Sequence, residues 1–221
     1  MAQLEKTLLP SYTRTEERLN VGTHAAGVLL GILILRDGLA VLHGRGDTFA
    51  YTGLWIYGLS MILLYLMSSV YHALPAGNAK KIMRIVDHCT IYLLIAGTYT
   101  PILLGAMRLR HPGLAWGGLV CEWGLGVLAA VFTAIDLKKY SRLSMACYIA
   151  MGWFALAALK ATIEAVTLRG FWWLLSGGIA YTVGAVLYGI GKKRRYIHSV
   201  FHVFVLLGSI LQAVCILNFS L

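Results

Sequence analysis

Apolar residues run along the chain in stretches of membrane-crossing length, and polar residues collect between them. Seven such stretches stand out, at roughly 20–42, 50–73, 85–106, 113–135, 143–163, 171–191 and 197–219. Each is close to the about 20 residues that a helix needs to cross a bilayer, with a little to spare for tilt. The links between them are short, about 5–11 residues, so consecutive helices are expected to be antiparallel neighbours. The pattern predicts an all-α, polytopic membrane protein: a polar segment over 1–19, then a bundle of seven transmembrane helices over 20–221. No internal repeat or low-complexity tract interrupts it. Small residues inside the spans, among them Gly27, Gly31, Gly117, Gly118, Gly124, Gly177, Gly178 and Gly184, are expected to let helices approach closely.

Composition narrows the class further. Hydrophobic residues make up 59% of the chain and charged residues 13%, and mean hydropathy is +0.74. Average soluble domains carry about twice that share of charge. A soluble domain, a disordered chain and a disulfide scaffold are therefore excluded. Cys89, Cys121, Cys147 and Cys215 are scattered singly and form no CxxC pair, so neither disulfides nor thiolate metal ligation is expected. Residues 1–19 are polar and lack the apolar core of a cleavable signal, so the first span is expected to serve as an uncleaved one.

The formal charge of +10 reads as membrane topology rather than nucleic-acid binding, because the basic residues sit at span ends. Lys6, Arg14, Arg18, Lys80, Lys81, Arg84, Lys138, Lys139, Arg142, Lys192, Lys193, Arg194 and Arg195 fall on one side. Arg36, Arg45, Arg108, Arg110, Lys160 and Arg169 fall on the other. This 13-to-6 bias follows the positive-inside rule at every loop. It predicts an N-terminus inside and a C-terminus outside, the reverse of rhodopsin-like receptors. The expected location is the cell membrane, the inner one if the source is bacterial.

Ionisable residues inside spans are expensive and point to function. His24, Ser68, His72, Asp87, His88, His198 and His202 all fall near the cytoplasmic ends of their spans. At 1.5 Å per residue they share a slab roughly 8 Å deep. Five of the seven histidines thus lie at one depth although they come from four helices; His43 and His111 read as ordinary outer-loop residues. His198 and His202 are spaced i,i+4, which puts both rings on one helix face, where they can bind one ion or hydrogen-bond to neighbours. His72 and Asp87 at the same depth shift the balance toward a metal. Three histidines with one position left for water is the pattern of a catalytic zinc. Glu17, Asn20 and His24 also share a helix face.

Three motifs carry a resemblance. Glu17-x2-Asn20-x3-His24, Ser68-x3-His72 followed by Asp87, and His198-x3-His202 occur in that order. With Asp87-His88-Cys89 and Gly97-Thr98-Tyr99-Thr100-Pro101, they make the chain similar to the progestin and adipoQ receptor family, in its bacterial hemolysin III branch. That family is allied with alkaline ceramidases. The resemblance covers the whole membrane domain. It implies seven helices with an inner N-terminus, zinc held by His72, His198 and His202, and Asp87 contacting the metal through a water.

The expected chemistry is a metal-dependent lipid amide or ester hydrolase near the cytoplasmic leaflet, with a role in membrane-lipid homeostasis. Asp87 and Ser68 are the candidate catalytic residues: Asp87 to orient water and take its proton, Ser68 to bond the water or a developing oxyanion. Lipid tails would stay in the bilayer. Glu17, Asn20, His24 and His88 are expected around the ligands rather than on the metal. A membrane sensor or receptor with structural zinc is the alternative, and a hemolysin-like pore a second one. Membrane lipid is the expected substrate or ligand, with no nucleic acid. Two further expectations concern residues outside the motifs. Glu122, mid-span, is expected to be protonated and hydrogen-bonded, with a proton or substrate path as the alternative. Arg36 is expected to snorkel beside Asp37, and Trp55, Tyr57, Trp116, Trp172 and Trp173 to form an aromatic belt.

Overall fold

A computed structural model describes residues 4–5, 7–191 and 194–221; Lys6, Lys192 and Lys193 of the basic set lie outside them. The described residues are helical apart from short links, with helices α1 (Arg14–Leu42), α2 (Thr48–Ala73), α3 (Asn78–Ile102), α4 (Pro112–Ile135), α5 (Ser141–Gly152), α6 (Leu159–Gly191) and α7 (Ile197–Cys215). All of these except α5 are long and apolar enough to cross a membrane, α3 and α7 being extended by further turns to Arg110 and Ser220. Successive helices pack as neighbours from α1 to α4, α6 packs on α7, and α7 closes back on α1. The antiparallel succession expected from short links is what forms.

The helix ends have local causes. α1 starts at Arg14, well before the expected residue 20, because Thr13 and Glu16 form a reciprocal capping box. Asp47 caps α2, accepting from the backbone N–H groups of Phe49 and Ala50. The Asp47 carboxylate also takes a forked pair of hydrogen bonds from Arg108, at 3.1 and 2.9 Å. α3 runs through Pro101 into a wide turn at Leu103–Met107, where Gly105 leaves helical geometry. The carbonyl of Pro101 is satisfied by the Ser220 hydroxyl at 3.1 Å.

The stretch expected as a fifth span, 143–163, is broken into α5, a single turn at Phe154–Ala157 and the start of α6. Tyr99 supplies a reason. Its hydroxyl donates to the Gly152 carbonyl at 2.8 Å and accepts from the Ala155 amide at 3.3 Å. A side chain set into the backbone ladder interrupts a helix. α6 is itself bent at Thr167, which has φ 64° and ψ 164°. Around that bend the chain folds back on itself: Trp153 Nε1 donates to Thr182 Oγ1 at 3.2 Å.

Packing refines two expectations. Trp55, Trp116 and Trp172 are exposed as a belt requires, but Tyr57 is 0% exposed and belongs to the core, and Trp173 packs partly against it. Of the glycines, Gly27, Gly31, Gly118 and Gly177 do sit at close helix contacts; at Gly177 a Cβ would lie 2.5 Å from the Gln212 side chain. Gly117, Gly124 and Gly178 face open space.

Polar ties at the two ends of the bundle differ. At one end His111 pairs with Glu164 at 2.6 Å, so His111 is more than a loose loop residue, and Arg45 donates to the carbonyl of Leu221. At the other end lie the N-terminal segment and Lys80, Lys81 and Arg84, with Lys81 donating to the Leu4 carbonyl at 2.8 Å. Glu5 and Leu8 share a shallow groove there with Asp136, Lys138 and Lys139. Basic links far apart in sequence thus meet at one end.

Candidate metal centre

Four histidines from three helices meet inside that basic end. His72 is in the last turn of α2. Its Nδ1 lies 2.6 Å from Glu17 Oε2 on α1. A carboxylate can only accept, so Nδ1 carries a proton and donates it, and Nε2 is the nitrogen turned to the other histidines' side as a candidate ligand atom. Nε2 is buried and has no partner among the described residues. The carboxylate–histidine arrangement is the one that fixes the tautomer and ring direction of metal ligands.

His198 and His202 come from the first turns of α7, where the i,i+4 spacing stacks them on one face. Their Nε2 atoms are 3.0 Å apart. Two imidazole nitrogens so close must share a proton or a cation. His202 Nδ1 is 3.5 Å from Thr23 Oγ1 on α1. With Nδ1 on that side, Nε2 is the nitrogen that faces His198. One nitrogen from each of His72, His198 and His202 lies within 4.8 Å of the others, and all three residues are buried. Three buried imidazoles, one with a nitrogen that has no partner among the described residues, fit a transition-metal ion. The triad can hold a metal.

The other motif residues surround it. Glu17 also accepts from Lys80 Nζ at 2.7 Å, and Lys80 donates further to the carbonyl of Leu74. Asn20 Oδ1 accepts from Ser199 Oγ at 2.7 Å and so ties α1 to α7. Asn20 Nδ2 rests 3.3 Å from His72 Nδ1; with that ring proton given to Glu17, this is a packing contact. His24 lies with its ring centroid 3.9 Å from that of His202 and 5.1 Å from that of Tyr65. Neither His24 nitrogen has a partner among the described residues. His88 does not join the triad: its Nδ1 is 2.8 Å from the Arg84 carbonyl and its Nε2 3.2 Å from the Tyr188 hydroxyl, and it lines the neighbouring cavity beside Asp87.

Ser68 is buried, and Ser68 and Asp87 line a cavity of about 170 Å³ together with His24, His198 and His202. From Arg84 and Asp87 the cavity extends past Ile91 and Ile95 to Tyr99 and Gln212, and its walls are mostly apolar. Along α3, Arg84 to Tyr99 spans about 22 Å at 1.5 Å per residue. Asp87 is not among the groups that converge on one ion. Glu122 lies on α4 and is not part of this cavity's wall; it is buried, with Oε2 unpartnered among the described residues.

Three residues at the site escape a reading by motif. Lys80 reads as one more basic loop residue, yet it is 5% exposed and neutralises Glu17. Glu16 accepts from the Tyr196 amide at 2.7 Å and so fixes the start of α7 against α1; the Thr13-x2-Glu16 capping box was the available signal. Tyr12 stacks on His198, with centroids 4.8 Å apart and planes at 20°, and no sequence pattern marks it.

Comparison with known proteins agrees with the motifs. The model of the family described as haemolysin-III related matches residues 12–213. Hemolysin-3 of Bacillus cereus is 39% identical over 208 residues, covering 93% of this chain and 92% of the relative. The Hemolysin-3 homolog of Bacillus subtilis (strain 168) is 38% identical over 206 residues, covering 93% and 95%. The monocyte to macrophage differentiation factor of Homo sapiens is 27% identical over 201 residues, covering 86% and 78%. Apolar helices of crossing length and this kinship together make the protein a multi-pass cell-membrane protein. The chain belongs to the haemolysin-III-related family.

Proposed function

We propose that this protein is a zinc-dependent membrane hydrolase that cleaves a lipid amide or ester near the cytoplasmic leaflet and so takes part in membrane-lipid homeostasis. The observation that carries the reading is the convergence of His72, His198 and His202 beside a mostly apolar cavity that also holds Asp87 and Ser68. Three histidine ligands that leave a position for water are the donor set of a catalytic zinc. His198 and His202, with Nε2 atoms 3.0 Å apart, and His72 would hold the ion.

Zinc bound there would supply a water of lowered pKa and polarise a carbonyl. The chain's own residues do the rest. Asp87 orients the attacking water and takes its proton. Ser68 donates to the carbonyl oxygen as negative charge develops on it. The water oxygen joins the acyl carbon, the C–N or C–O bond breaks, and the proton passes to the departing amine or alcohol. Glu17 holds the His72 ring by its Nδ1 proton, and Lys80 holds Glu17. The apolar stretch from Ile91 to Tyr99 accepts an acyl tail inside the bundle. A head group at Asp87 and a tail along α3 suit a single long chain.

The chain crosses the membrane seven times in this reading. α5 and the start of α6 make the fifth crossing, Thr167 the turn, and the rest of α6 the sixth. The basic end faces the cytoplasm, as the 13-to-6 bias requires.

The names of the two bacterial relatives raise a hemolytic pore. Against it, the motif residues gather at one end of the bundle, and the cavity beyond them is walled mostly by apolar groups. The experiment is to incubate purified protein with ceramides, other lipid amides and phospholipid esters and measure free fatty acid. Release by the wild type, abolished by Asp87→Asn with zinc content retained, supports the hydrolase. No release above a His202→Ala control favours a receptor with structural zinc.

A further inference from the structure

Residues 7–13, before α1, have no regular secondary structure, yet they are fastened at several points. Thr7 is buried. Arg84 donates to the Leu8 carbonyl. Just upstream, Lys81 donates to the Leu4 carbonyl at 2.8 Å. At the downstream end Thr13 enters the capping box of α1. Between these anchors, Pro10 and Tyr12 are part of the cavity wall.

Tyr12 is where this segment meets the histidines. Its ring lies over His198 at 4.8 Å and 20°, and against His72 at 5.7 Å and 49°. It therefore touches two rings of the triad from the water-facing side of the basic end. The His198 ring is also flanked by Tyr188 and Phe201, with centroids 5.9 and 5.4 Å away; without Tyr12 one face of it would be uncovered and freer to turn about χ1 and χ2. Stacking by a large aromatic removes both freedoms.

We propose that residues 7–13 are a strap closing the histidine cluster from the aqueous side, and that Tyr12 is a positioning residue that holds the His198 ring. Metal exchange then requires the strap to lift. The metal-exchange part rests on the zinc reading above; the closure does not.

Two measurements on the full-length protein in detergent separate these. The first uses metal-stripped protein and diethylpyrocarbonate, which carbethoxylates accessible histidines, read residue by residue by mass spectrometry. His198 is expected to react slowly in the wild type and in Tyr12→Phe, and about tenfold faster in Tyr12→Ala. Lys81→Met, which loosens an anchor without touching the stack, should fall between. His111, at the far end, is the reference and should react alike in all four, which also reports an intact fold. The second measures transfer of zinc from loaded protein to excess EDTA. Tyr12→Ala should release it about tenfold faster than wild type, and Tyr12→Phe should match wild type within about twofold.

If His198 reacts as readily in wild type as in Tyr12→Ala while His111 is unchanged, the strap does not close the site and the proposal falls. If Tyr12→Ala alters His111 as well, the comparison passes to Lys81→Met, and equal His198 reactivity there overturns the proposal in the same way. Protection of His198 in a protein that binds no zinc would uphold the strap and end the zinc reading instead.

Discussion

Glu17 Oε2 and His72 Nδ1 are 2.6 Å apart across the α1–α2 contact, and this one hydrogen bond orients a ring whose other nitrogen is the buried, unpartnered Nε2. An outer carboxylate of this kind raises ligand basicity and holds the ring in one tautomer. Glu17→Gln keeps the size and an acceptor but loses the charge. Zinc affinity, measured by competition with a chromogenic chelator, should fall by about 10–100-fold, with folding intact. Unchanged affinity would remove Glu17 from the site.

Lys80 is the counter-charge to Glu17, at 2.7 Å and 5% exposed. Lys80→Met leaves the carboxylate with only His72. Breaking a buried pair costs several kcal/mol; Glu17 keeps partial access to water, so about 2 kcal/mol is expected. Thermal unfolding in detergent measures it. In a Glu17→Gln background the same change should cost clearly less, because the charge it neutralised is gone. An equal cost in both backgrounds would show that the two residues do not act together.

His24 gives the opposite expectation. Its two nitrogens are buried without partners among the described residues, and its ring packs on His202 and Tyr65. An unpaired buried polar group costs about 1–3 kcal/mol, and a phenyl ring preserves the packing. His24→Phe should therefore leave thermal stability unchanged or raise it, with zinc content retained. A loss of zinc would make His24 a ligand.

Sidedness follows from the basic end. Single cysteines introduced at the exposed Asn78, at Lys138 and at Lys193 in a cysteine-free background should be labelled by an impermeant maleimide only after the cells are opened. A cysteine at Leu221 should be labelled on intact cells. Labelling at residue 193 from outside would reverse the proposed orientation.

Much of the architecture is legible in the sequence because hydropathy and helical spacing are local. The apolar runs become the long helices, and the His198-x3-His202 spacing puts two rings on one face as any helix must. What the sequence hides depends on distant partners. The fifth apolar run reads as one span, but its break is tied to the Tyr99 hydroxyl, more than 50 positions away. Tyr57 reads as interfacial from its place near a span end, and only the packing of α2 turns it inward. Lys80 looks like a loop charge until α1 brings Glu17 beside it. Tyr12 lies in the irregular stretch before α1 and carries no motif, so its place on His198 follows from the folded strap alone. The early start of α1 was readable: Thr13 and Glu16 stand at capping-box spacing.

The central claim is that His72, His198 and His202 together bind zinc, and elemental analysis of purified protein tests it most directly. The wild type and His24→Phe should each carry about one zinc per chain, as a single three-histidine site requires. His202→Ala and the double variant His72→Ala/His198→Ala should carry almost none while remaining folded. Zinc content unchanged in the double variant would contradict the assignment.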